Sequence, residues 1–251
     1  MQLNKVVKFP ILGKIKVGRK NDRGLPESLE YFVATGNYEN YFKDAFGEKP
    51  TSIEIMFLSD EFEDSCNERF ELRQGAKLFA YGDGETFQVY DEQKDDYICK
   101  TMTKDKDFIN TLHTKVKGKW ETVLHMSFLI PGIRGVFGVW QLSTKGEKSS
   151  IPTIQGAFQL VKNMAGRVTG IPFDLQVKKV TSNKPNSKSK FPVINLIPNV
   201  SSGHMEKVKQ FISGNSDFIG LLTENKIDDI AMNEVAKQVE YMAPDCSGSP
   251  R

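Results

Sequence analysis

Residues 132–173 constrain this chain more than any other stretch, because a strand pattern passes directly into a helix pattern and back again. Val136, Phe137, Val139, Trp140 and Leu142 form a β-rich run, with Gly135 and Gly138 near its start. Glycine inside a strand weakens it and marks a bulge or a close backbone approach. A polar loop follows at 143–150, and Ser149 or Ser150 is placed to cap the next helix by accepting a bond from its free amide groups. Pro152 suits a first helical turn, where its missing N–H has no partner to lose. Ile154, Phe158, Val161 and Ala165 then recur at helical spacing and make one apolar face, and Gly166 supplies a C-terminal stop. Residues 171–180 read as a second strand. Trp140 and Phe158 are the aromatics expected to be buried in this strand–helix–strand unit, residues 134–180.

The remainder is mostly β-rich. Strands are expected at 29–35, 52–58, 120–130, 173–180 and 191–197, with shorter runs at 6–17, 70–73, 77–81, 85–90 and 97–102. Tyr38, Tyr41, Phe42, Ala45 and Phe46 lie at i, i+3, i+4, i+7 and i+8, an amphipathic helix stopped by Gly47. Gly82-Asp83-Gly84 joins two β-prone runs and reads as a hairpin turn. Residues 60–64 read as an acidic loop, and the lysine-rich 103–119 matches no single pattern. Met205 to Ser213 and Ile227 to Met242 read as helices, the second with Asp228 and Asp229 in its first turn, where the helix dipole favours acids. The expected fold is α+β: a mostly antiparallel β body over 1–200, a helical segment 201–243 packed on it, and a disordered tail 244–251. No linker-like composition divides the body, so one compact unit is expected.

Charge and chemistry narrow the function classes. A net charge of +2 gives no global attraction to nucleic acid or anionic lipid, so any such contact needs a local patch. No apolar run approaches the roughly 20 residues of a membrane helix. The N-terminal stretch is too charged for a signal peptide, and three widely spaced cysteines, Cys66, Cys99 and Cys246, fit a reducing cytoplasm better than a disulfide framework. His113, His125 and His204 are equally scattered, with no CxxC or HxxxH spacing, so neither a metal nor a cofactor is expected. The GDG turn lacks a phosphate-loop pattern and a following helix. Glu61, Glu63 and Asp64 can bind a divalent ion or form a solvated loop. Lys178, Lys179, Lys184, Lys188 and Lys190 flank one predicted hairpin with no acid among them. They are the candidate nucleic-acid contacts, by counterion release, against the alternative of a solvated finger.

Six segments, in order, carry a family likeness: FPILGKIKVG, LPESLEYFVATGNYENYFKDAFGEKPTSIEIMF, AKLFAYGDGETF, GVWQLSTKGEKSSIPTI, GRVTGIPFDLQV and FPVINLIP. Together, over residues 9–198, they resemble the phage recombination directionality factor family that partners large serine integrases. Many members of that family carry clustered cysteines after the GDG turn; here Cys99 stands alone, so no zinc site is carried over. The resemblance implies a binding protein without catalytic residues, cytoplasmic in a bacterial host. Such factors bind the cognate integrase on attachment-site DNA and change how its coiled-coil arms meet, so that attL and attR recombine and the prophage is excised. No partner-contacting residue maps onto a motif; an exposed apolar patch is expected, at 103–119 or on the C-terminal helix. Two other classes stay open: a phage replication accessory protein that binds single-stranded DNA through the lysine hairpin, and an enzyme whose site is assembled from scattered residues.

Overall fold

The computed structural model describes residues 9–182 and 189–200. The expectations for 201–243 and 244–251, and Lys184, Lys188, His204 and Cys246, lie outside the described residues. In chain order the elements are β1 (Ile11–Lys20), β2 (Pro26–Thr35), α1 (Glu39–Phe46), β3 (Ser52–Met56), α2 (Phe62–Ser65), β4 (Cys66–Gln74), β5 (Lys77–Gly82), β6 (Thr86–Asp91), β7 (Asp96–Thr101), α3 (Met102–Lys115), β8 (Lys119–Phe128), β9 (Val139–Thr144), α4 (Ser150–Ala165), β10 (Pro172–Thr181) and β11 (Lys190–Pro198).

The fold is α+β. Eight strands form one sheet in the order β2-β1-β9-β8-β4-β5-β6-β7, and β11-β10-β3 form a second. All neighbours pair antiparallel except β1 with β9. The strand–helix–strand unit exists, but its two strands belong to different sheets, so α4 carries the chain from one sheet to the other instead of closing a crossover within one. Its first strand starts later than the β-rich run suggests. Val136 and Phe137 precede it, and Phe137 is 79% exposed. Gly138 marks the close approach: a Cβ there would lie 2.6 Å from the Pro10 carbonyl oxygen, which accepts the Val139 N–H.

The alternation of a strand sends every second side chain to one face. On β8, Leu124, Met126 and Phe128 point inward and meet Trp140 and Leu142 of β9. The small sheet and α4 close over them. Trp140 and Phe158 are both 1% exposed, as expected, and Phe57 contacts Phe158 and Phe173 edge to face. Ile154, Val161 and Ala165 are buried with Phe158. Gly166 ends α4 in the left-handed conformation at φ 76°.

Three local expectations differ. Ser149 stands at the N-cap of α4, but its side chain makes no capping bond; Ser150 is buried and its hydroxyl accepts the Ile194 N–H, tying the helix start to β11. Residues 62–65 form a short helix within the expected acidic loop. The unassigned stretch 103–119 is largely α3, whose Ile109 and Leu112 cover Leu72, Ala80, Phe87 and Val89 in a second apolar cluster on the same face of the large sheet. Its apolar side chains therefore face inward and do not form an exposed partner patch. No described helix is long and apolar enough to cross a membrane.

Candidate interaction surface

Pairing register places the odd-numbered residues of β4, β8 and β9 on the opposite face of the large sheet. Arg69 pairs with Val123, Glu71 with Glu121, Arg73 with Lys119 and Asn67 with His125 between β4 and β8. Ser143 sits opposite His125 across β8 and β9, and Gln141 joins Lys14 of β1. This face meets neither apolar cluster, and it holds a concavity of about 640 Å³ that includes Lys14, Arg69, Glu71, Arg73, His125 and Lys145. A neighbouring hollow of about 590 Å³ continues it along β1 past Lys16 to Pro26 and Ser28.

Glu71 organises the centre. Its side chain is 1% exposed, on a strand whose register puts Glu121 directly across. Facing carboxylates repel, and a buried charge is costly unless paired and hydrogen-bonded. The surroundings meet both needs. Arg69 donates to Glu71 Oε1 through Nε at 2.9 Å and Nη2 at 2.7 Å, Arg73 Nε donates to Oε2 at 2.6 Å, and Lys145 takes Glu121. Burial alone would push the Glu71 carboxyl up; the bonds from Arg73, Arg69 and His125 outweigh it and hold the group at about 2. Arg69 also lies over the Tyr81 ring, 4.5 Å from its centre, so its guanidinium is fixed from two sides.

Glu71 is ionised and can only accept, so His125 Nε2 must carry the hydrogen in their 2.8 Å bond. His125 Nδ1 then accepts the Ser143 hydroxyl hydrogen at 2.8 Å. Ser143, His125 and Glu71 thus stand in the order of a nucleophile, a base and an orienting acid. The electrostatics run against that use. The carboxylate is already shared by two guanidinium groups. His125 lies below its ordinary value, first because it is buried and further because of Arg69, although Glu71 pulls the other way. A catalytic base needs an acid that raises its affinity for the proton. The arrangement instead presents oriented donors, which suits an anion.

The predicted lysine finger is only partly assembled in the described residues. Lys178, Lys179 and Lys190 lie at the far end of the β10–β11 hairpin. Lys179 is bound to Glu30 of β2 at 2.8 Å, and Lys190 faces the same carboxylate. Lys178 is on the other side of β10 and exposed. Of the three acids considered for a metal, Glu61 holds Lys162 and Asp64 accepts the Ser59 hydroxyl, while Glu63 lies near the Cys66 thiol. Among the described residues no group of three such side chains is placed to hold a metal. Cys66 is buried and its thiol pushed far up by burial, Cys99 is exposed on β7, and His113 lies on α3 beside Thr114. The Asp83 carboxylate accepts the Glu85 and Thr86 N–H groups, so the GDG segment is a turn stabilised by its own aspartate.

Exposed apolar side chains gather at another corner, where Phe137 is 79%, Ile11 56%, Phe9 52% and Tyr41 44% exposed. The Pro10–Val139 bond ties the segment carrying Phe9 and Ile11 to the 131–138 loop, and Gly135 of that loop lies beside the Tyr41 ring, 3.7 Å from where a Cβ would stand. Sequence reasoning missed both surfaces. The sheet-face cluster draws on four separate strands, and no local spacing reports it.

A family model described as Gp3-like, recombination directionality factor-like, matches residues 12–199. No curated protein matches the chain.

Proposed function

The chain belongs to the Gp3-like, recombination directionality factor-like family, and from that premise we propose that it binds a serine integrase on attachment-site DNA and switches it to prophage excision, attL with attR. The observation that carries the reading is the extent of the match: it runs from the second residue of β1 to just past β11, so the family likeness covers the whole described fold. Such a factor acts by binding and has no turnover of its own, and its place of action is the cytoplasm of the bacterial host.

A modulator shifts its partner between two arrangements only by as much as it prefers one of them. Moving the balance from 1:99 to 99:1 takes about 5.5 kcal/mol. Exposed ion pairs contribute about 0–1 kcal/mol each and fall short. At about 25 cal/mol per Å², the same preference needs roughly 220 Å² of apolar surface, within reach of a few large side chains. Phe9, Ile11, Phe137 and Tyr41 supply such a surface, and it suits a helix of the integrase coiled coil. The test is co-purification with candidate integrases and an attL × attR assay titrated with factor. Binding at micromolar concentration and a stoichiometric requirement are expected, with loss of both in a Phe137→Ser, Ile11→Ser variant that still melts normally. Reversal of direction by catalytic amounts, or no binding at micromolar concentration, would overturn the reading.

A further inference from the structure

We propose that the open face of the eight-stranded sheet, from Lys14 and Lys16 across to Arg69 and Arg73, is a docking surface for the sugar–phosphate backbone of duplex DNA. This goes beyond the integrase reading and stands on charge and geometry alone. Lys14 and Lys16 are exposed and make no ion pair among the described residues, and both arginines share the single buried Glu71. Lys145 and Glu121 cancel each other, as do Arg19 and Glu27 beside Lys16, and Asp64 is the one other acid lining the concavity. Four cations against Glu71 and Asp64 leave two positive charges in excess on one concave face.

The spread of these groups selects the ligand. Strands β1, β9, β8 and β4 are consecutive in the sheet, so Lys14 and Arg69 are three strand spacings apart across it, about 14 Å, and four residues apart along it, about 13 Å, which together make roughly 19 Å. One small anion cannot meet both ends. A phosphodiester chain can, since roughly 19 Å along the helix axis covers about five to six steps of one DNA strand. Between the cations lie neutral donors suited to phosphate oxygens: the amides of Gln141 and Asn67 and the hydroxyl of Ser127. Arg69 is already fixed by Glu71 and Tyr81, so little side-chain freedom is lost when a phosphate docks against it. A broad sheet face inserts no element into a groove, so contact with the backbone implies binding without sequence preference.

The experiment is fluorescence anisotropy of the full chain with a labelled random-sequence duplex, titrated between about 50 and 200 mM salt, without integrase. Affinity should fall linearly with salt on logarithmic axes. Lys14→Glu with Lys16→Glu should weaken binding and lower the slope by roughly two, while the thermal melt is unchanged. Lys178→Glu, on the hairpin, should leave binding as it is. Several results would overturn the proposal: no duplex binding at the lowest salt, wild-type binding by the double variant, or loss of binding in Lys178→Glu alone. Tighter binding of a single-stranded oligonucleotide would do so too, because it would place the contact on the Tyr81 ring beside Arg69. So would an unbound duplex combined with weakened integrase binding in the double variant, which would make the face a protein interface. Failure of integrase binding with duplex binding intact would instead sink the function proposed above and leave this surface standing.

Discussion

Replacing Glu71 with Gln tests the arrangement at the centre of the large sheet. The substitution keeps the shape and removes the charge. A carboxyl held at about 2 in place of its ordinary 4.5 favours the ionised form in the fold by about 3.4 kcal/mol, at 1.36 kcal/mol per tenfold change. The loss on substitution should be smaller. Arg69 and Arg73 are 28% and 31% exposed and can recover water, and Gln still accepts one bond. An expected cost of about 2–3 kcal/mol follows, which lowers Tm by roughly 4–12 °C in a chain of this size. The pH dependence carries the sharper test. A carboxyl whose value is depressed in the fold contributes its stability above 4.5 and loses it as pH falls towards 2. At pH 3.5 only about 2 of the 3.4 kcal/mol remains. Urea denaturation of both proteins at pH 7 and pH 3.5 should therefore show a gap that narrows on acidification. Equal stability at pH 7, or a gap as wide at pH 3.5 as at pH 7, would refute the view that Glu71 is a paired, ionised carboxylate.

Other outcomes follow from the same structure. His125 is held below its ordinary 6.5, so the unfolded chain binds more protons just below that pH and stability should decline as pH drops from 7; in His125→Gln that part of the decline should vanish from the melting profile. Trp140→Ala and Phe158→Ala should each cost about 3–5 kcal/mol, since both fill the main core; unchanged melting of either would remove the central unit from that role. Gly138→Ala brings a methyl to 2.6 Å from the Pro10 carbonyl oxygen and should cost about 1–3 kcal/mol in urea denaturation. If the hairpin reaches DNA within the integrase complex, Lys184→Glu, Lys188→Glu and Lys190→Glu together should weaken excision and flatten its salt dependence, with stability changed by no more than about 0.5 kcal/mol; full excision at every salt concentration would mean a solvated finger.

Short-range physics was legible in the sequence. The 3.6-residue repeat of Ile154, Phe158, Val161 and Ala165 placed α4, and Gly166 ended it, because a helix must bury one stripe and stop where a left-handed residue is cheap. The alternation of Phe87 and Val89 with Thr86, Gln88 and Tyr90 separated the two faces of β6 before any partner strand was known. Helix α3 was missed, although Ile109, Leu112 and Val116 carry its spacing, because its first turn is polar and broken at Asp105. Ser150 was given the wrong partner, since a cap and a bond to β11 draw on the same hydroxyl and only the fold decides which N–H arrives first.

What the sequence by itself determined was most of the strands, helices α1 and α4, the burial of Trp140 and Phe158, and the family likeness that points to an integrase partner. What only the tertiary structure decided was which strands are neighbours. Lys14, Glu71, His125 and Ser143 are separated along the chain by 57, 54 and 18 residues, and each reads alone as an ordinary surface position. Hydrogen-bonded pairing of β1, β9, β8 and β4 brings them onto one face, where burial, shared charge and donor geometry become properties of the group. Sequence periodicity records only which face a side chain takes. Strand order is set by long-range burial and backbone pairing across the whole chain, and the cluster around Glu71 exists only at that level.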